Sequence, residues 1–190
     1  MSPIASASVY LLQLIGSFFL YLFVLRLWLQ KFRAHVFNPV SQFVIKCTNP
    51  IIKPLRFVLP GVRGFDLAVV FMLCLTQWVL FSLVTWISFG VFPAVGPGVL
   101  HAVSMVVMLN CNFFVIVVII SAIVSWFPQL KNSPFVAIVN LLAQPLLSVV
   151  RRYVPLIGGV DVSPLVVIVG IHLLSLLVIS PLNNWIASMF

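Results

Sequence analysis

Four stretches of this chain stay apolar for longer than any element of a water-soluble fold requires. They run from about Val9 to Gln30, Phe65 to Phe92, Val99 to Phe127 and Val162 to Ala187. A helix needs about 20 such residues to cross the hydrocarbon core of a bilayer. Backbone amides in lipid must pair within their own segment or around a closed barrel. The runs lack the period-two alternation of barrel strands, so each is expected to be a transmembrane helix. Composition excludes the soluble alternative: 63% of residues are hydrophobic and 6% charged, against about half and a quarter in soluble domains. The opening MSPIASASVY has no basic stretch of a cleavable signal, and the run after it is too long for one, so the first span is expected to be retained.

The charges are sorted by position. Arg26, Lys31, Arg33, Lys46, Lys53, Arg56 and Arg63 flank or join spans one and two; Lys131, Arg151 and Arg152 join spans three and four; the FPAVGPG connection carries none. Lysine and arginine beside a membrane segment are retained in the cytoplasm, which predicts cytoplasmic basic loops and both termini on the other side. The net charge of +8 then belongs to a membrane face. Basic side chains interleaved with apolar ones, as in VIKCTNPIIKPLRFV, suit anionic headgroups. No dense Lys/Arg tract argues for nucleic acid. Cys47, Cys74 and Cys111 are far apart, without metal or disulfide spacing, and are expected to be buried small apolar residues.

Sliding the chain by 95 residues superimposes Pro39 on Pro134, Pro50 on Pro145, Arg56 on Arg151, Pro60 on Pro155, Gly64 on Gly159 and Asp66 on Asp161, without a gap. The chain therefore divides into two copies, 1–95 and 96–190, each a span, a Pro-punctuated segment and a second span. Two spans return the chain to its starting side, so the copies are parallel repeats about an axis along the membrane normal.

Two segments, RLWLQKFRAHVFNPVSQFVIKCTNPIIKPLRFVLPGVRGFD and AIVSWFPQLKNSPFVAIVNLLAQPLLSVVRRYVPLIGGVD, carry a resemblance to the YggT family of small bacterial and plastid membrane proteins. The resemblance covers nearly the whole chain. The first unit reads WLQKF where the second keeps the SWFP typical of the family. The resemblance implies a non-enzymatic, multi-pass protein of the bacterial inner membrane. It links the chain to osmotic-stress tolerance or cation homeostasis, or alternatively to scaffolding and assembly of membrane complexes and division.

Within each Pro-punctuated segment, Pro39, Pro50, Pro134 and Pro145 can each open a short helix, because the first helical turn does not need the missing amide. Pro50, Pro60, Pro145 and Pro155 are accordingly expected to be helix breaks. The resulting pieces are too short to cross. They can lie flat as interfacial helices or dip in and return as a re-entrant hairpin. The charge-free FVAIVNLLAQPLLSVV favours insertion.

Both acids of the chain stand ten residues after an arginine and directly before a span: Asp66 after Arg56, Asp161 after Arg151. Each aspartate is expected to cap the next helix. Each arginine is expected to pair with an aspartate, either in its own repeat or across to the other, as a structural clamp or as an ion or headgroup site.

Gln77 and His172 are also 95 apart (172 − 77) and fall near mid-membrane; Asn110 and Asn112 enter the third span. Such groups face a bundle interior, as interhelical hydrogen bonds or as a polar path for a cation or proton. Arg26 is expected to snorkel to the headgroups, and His35 and His101 to be surface groups. With no glutamate and no nucleophile, metal or phosphate motif, no catalytic, metal or cofactor site is expected. The expected partners are anionic lipid and either further copies of the chain or other membrane proteins.

Overall fold

A computed structural model describes residues 2–62, 64–154 and 161–189. Pro155, with Arg63 and Gly159, lies outside the described residues. The chain is an all-α membrane protein with four helices long and apolar enough to cross a bilayer. These are α1 (Pro3–Lys31), α3 (Leu67–Phe89), α4 (Val95–Ser125) and a last span, Ser163–Ala187. Between them lie two elbow helices, α2 (Pro39–Leu55) and α5 (Pro134–Val150).

The helix starts follow local chemistry. Ser2 accepts from the Ala5 amide at 3.2 Å and Asn38 from the Val40 amide at 2.9 Å, each with proline next. Proline at the first position gives up only an amide that would be orphaned anyway. Gly90 closes α3 at φ 74°, a left-handed turn natural to glycine, with its amide on the Trp86 carbonyl.

The last span is not one regular helix. It consists of α6 (Ser163–Leu174), a π-turn over Ser175–Ile179 and α7 (Ser180–Ala187). Pro181 cannot donate to the Leu177 carbonyl four residues back, and the turn before it widens; the Ser175 carbonyl accepts both the Ser180 amide and, at 3.2 Å, Ser180 Oγ. Its counterpart α3 has no proline and stays regular.

Each elbow is one helix, not two pieces. Pro50 and Pro54 lie inside α2, and Pro145 lies inside α5, so Pro50 and Pro145 are not helix breaks. All three rings are on exposed faces, where solvent or headgroups can take up the carbonyls that proline frees. Pro60 does follow the end of α2, after a turn. The α2 helix buries a single stripe, Ser41, Val44, Thr48 and Ile52, while Lys46 and Lys53 are exposed on the other face. The apolar α5 buries Val136, Ile138, Val139, Leu142, Ala143 and Leu147.

The spans pack in the order α1, α3, α4, last span, with α2 against α1 and α5 against α4. Both elbows are at one end, where Asn38 Nδ2 donates to the Pro134 carbonyl at 2.8 Å. The core is gathered there as well: Phe23, Val24 and Leu27 of α1, the α2 stripe, Val69 and Leu73 of α3, Phe113 and Val118 of α4, and Leu142 and Leu147 of α5. Trp28 ties α1 to α4. Its ring meets Phe114 edge-on at 4.7 Å, and its indole donates to Asn110 Oδ1 at 2.8 Å. Farther from the elbows, α1 and α3 touch through Gly16, whose missing side chain leaves room for Leu80. Small residues let spans approach closely in this way.

Candidate functional site

Two places gather polar side chains: the elbows and a groove among the spans. In the first elbow, Arg56 donates through Nε at 2.9 Å and Nη2 at 2.5 Å to Asp66 Oδ2, and through Nη2 at 3.1 Å to Gln30 Oε1. In the second, Arg151 meets Asp161 Oδ2 at 2.9 Å and 2.7 Å. Both arginine–aspartate pairs form within their own repeat, so the exchange across repeats does not occur.

The pairs differ in burial. The Asp66 side chain is 1% exposed, whereas Asp161 is 29% exposed. Their capping also differs. Asp66 stands at the start of α3 but makes no capping bond, and its buried Oδ1 has no hydrogen-bond partner among the described residues. Asp161 instead accepts from the Ser163 amide through Oδ1 at 2.9 Å. Burial works to raise the Asp161 carboxyl, but the Ser163 and Arg151 contacts outweigh it and hold the group below its ordinary 3.8.

Arg26 belongs to the first elbow and does not snorkel. Only 4% exposed, it donates to Thr48 Oγ1 and, at 3.0 Å, to Asn49 Oδ1, both on α2. A guanidinium with two forked donors can reach adjacent acceptors on a neighbouring helix, and α2 arrives over α1 with both in place. The second repeat has Ser121 at the equivalent position (26 + 95), donating to Asn140 at 3.3 Å. Against its preceding span the first elbow is thus held by a charged group and the second by a neutral contact. On the outer side of α2, Lys46, Asn49, Pro50 and Lys53 border a shallow depression of about 380 Å³.

The groove lies among α1, α3 and α4 and measures about 420 Å³. Its polar lining is Gln13, Ser17 and Tyr21 of α1, Gln77 of α3, and His101 and Asn112 of α4, between walls such as Leu80, Phe81 and Met105. Three of the intramembrane residues singled out from sequence separate here. Gln77 and Asn112 face the groove, and Asn110 is taken by Trp28. His172 is exposed on α6, outside the groove and without a side-chain hydrogen bond among the described residues. His101, read from sequence as a surface group, is half-buried in the lining, and His35 is exposed. Gln13, Ser17 and Tyr21 carry no local pattern that marks them; only the packing of three spans brings them together. The cysteines are less enclosed than expected: Cys47 is exposed, and Cys74 and Cys111 are half-buried.

Comparison with known proteins bears on the duplication. The profile of a family described as CCB3/YggT matches twice, over residues 5–87 and 100–182. Both ends are offset by the same 95 residues (100 − 5 and 182 − 87). The chain is 35% identical to an uncharacterized protein of Pseudomonas aeruginosa over 93% of this chain and 90% of that one. It is 32% identical to an uncharacterized protein of Vibrio alginolyticus, over 86% and 88%. It is 30% identical to the uncharacterized protein YggT of Escherichia coli K12, over 88% and 86%. No solved structure matches the chain.

Proposed function

Because this chain belongs to the CCB3/YggT family, we propose that it is a non-enzymatic scaffold of a bacterial inner membrane. Its elbow end faces the cytoplasm, both termini face the periplasm, and the elbows present a basic plate to anionic lipid and neighbouring membrane proteins. The observation that carries this reading is the fixing of each elbow to its own second span, Arg56 to Asp66 and Arg151 to Asp161. With Arg26 added, the first elbow is held at both of its neighbouring spans. A plate held this way offers a fixed surface for partners, with little conformational entropy left to lose on docking.

The sidedness rests on the placement of the basic residues at the elbow end. Lys46 and Lys53, seven residues apart, share a face of α2 and flank the depression beside Asn49. Each contributes about 1 kcal/mol toward an anionic surface. Both acids are engaged by arginine, which leaves no free carboxylate for catalysis. The basic residues stand singly among apolar ones, unlike a nucleic-acid face.

One observation favours a second reading, cation or osmotic homeostasis: the polar groove with Gln77, His101 and Asn112. Against it, the lining ends near Tyr21, Gln77 and Asn112, and the core around Phe23, Leu73 and Phe113 fills the space toward the elbows.

Extraction into native nanodiscs, with bound lipid and stoichiometric partners identified by mass spectrometry, separates the readings when combined with potassium flux in liposomes. Retained anionic lipid that is lost in Lys46→Gln/Lys53→Gln, without flux, is the expected result. Sustained flux that Gln77→Ala abolishes would replace the scaffold by the second reading.

A further inference from the structure

His172 is poorly accommodated among the described residues. Nine residues past Ser163, it sits about 14 Å along the last span, near the middle of a core about 30 Å thick. It is exposed there, whereas ionisable side chains at that depth almost always face protein or water. Its counterpart Gln77 is accommodated in the groove because α3 has a span on each side, α1 and α4. The last span has α4 on one side; among the described residues it does not pack against α1.

The duplication supplies what is missing. The α3/α4 junction joins the first repeat to the second through Trp78 against Gly98 and the ring of Phe81 4.2 Å from that of His101. Advancing the α3 residues by 95 gives Leu173 and Leu176; moving the α4 residues back by 95 gives Pro3 and Ser6. All four are exposed. The same shift places His172 where Gln77 sits, and Ser17 where Asn112 sits. Two surfaces that occupy the positions of an existing interface, with different side chains, are therefore both left open.

We propose that a second copy of this chain fills the gap: the last span of one copy packs on α1 of the next as α3 packs on α4. The contact is head-to-tail, so repeating it in one membrane orientation gives a ring where the rotation closes and an open row where it does not. His172 then lies between Asn112 of its own chain and the partner's Ser17 and Gln13, and a second polar groove forms at each junction between copies. The π-turn begins at Ser175, so the correspondence is unbroken through His172 and Leu173, whereas Leu176, inside the turn, keeps only its place in the sequence. The inference goes beyond the scaffold reading and holds equally if the groove conducts.

Disulfide trapping in native membranes tests it, in full-length protein with Cys47, Cys74 and Cys111 replaced by alanine. Leu173→Cys with Pro3→Cys, or Leu176→Cys with Ser6→Cys, should yield on oxidation a ladder of dimers, trimers and larger species. The single-cysteine variants should give none. His172→Leu should weaken association about threefold, the loss of one interhelical hydrogen bond; unchanged yield would contradict its part in the contact. Single variants that cross-link to themselves would mean a two-fold interface and overturn the proposal. So would a wild type that is monomeric by native mass spectrometry, or multimeric with no cross-link at either pair.

Discussion

Replacing Arg56 and Arg151 separately should give unequal results, although the two sit at equivalent positions and each makes two bonds to its aspartate. Asp66 is 1% exposed, takes both Arg56 bonds on Oδ2 and has no partner for Oδ1 among the described residues. Arg56→Ala strands that carboxylate in a buried site, a loss of about 3–5 kcal/mol for a buried pair. Arg56 is itself 42% exposed, so water can follow into the space it leaves, and about 3 kcal/mol is the better figure. Asp161 is 29% exposed and keeps the Ser163 amide after Arg151→Ala; an exposed pair is worth at most about 1 kcal/mol. At about 2–4 °C per kcal/mol for a chain of this size, Arg56→Ala should melt about 6–12 °C lower and Arg151→Ala no more than about 4 °C lower. Tryptophan fluorescence during heating in detergent micelles reads both, since the chain has five tryptophans. Asp66→Asn added to Arg56→Ala should recover at least half of the loss, because no charge is then stranded. Equal shifts for the two arginines, or no recovery in the double variant, would refute the burial argument.

A Cβ at Gly16 would lie 2.3 Å from Leu80 Cδ1, so Gly16→Ala should destabilise by about 1–3 kcal/mol; Leu80→Ala should rescue it in part, judged by the same melting curves. Arg26→Lys keeps the charge but cannot reach Thr48 and Asn49 with separate nitrogens, and should cost about 1–2 kcal/mol; a wild-type melting point would show that the fork is unimportant. The Asp161 carboxyl is held below 3.8, so its contribution is complete well above that value and is lost progressively as pH falls from about 5 through 3.8 and then through the lower folded-state value. Above about pH 5, Asp161→Asn should therefore differ from the parent by a constant amount, and the difference should shrink as pH falls below that; a difference that stays constant down to about pH 3 would contradict the contacts drawn to Ser163 and Arg151.

How far these features can be read in the residues depends on whether their cause is local. The spans follow from hydropathy, and Leu67–Phe89 falls within three residues of the expected 65–92 at each end. The duplication is legible because Pro, Arg, Gly and Asp recur at a fixed offset, and the family profile repeats with the same spacing. Pro50 and Pro145 mislead: whether a proline breaks a helix depends on whether the carbonyl it frees can find water, which the exposed face of each elbow decides. Arg26 misleads for a tertiary reason, since its acceptors lie 22 and 23 residues away on another helix. Gln77 and His172 are equivalent in sequence and unlike in surroundings, because a span between two neighbours and a span with one neighbour present different faces to lipid.

Side-specific labelling of single cysteines tests most directly that two parallel copies place their elbows at one membrane face. Gln42→Cys on α2 and Ser148→Cys on α5 are both exposed positions. In a cysteine-free chain, each should react with an impermeant maleimide in inside-out vesicles and be protected in intact spheroplasts, while Ser2→Cys should show the reverse. Reaction of the two elbow positions from opposite sides would contradict the parallel duplication on which the account stands.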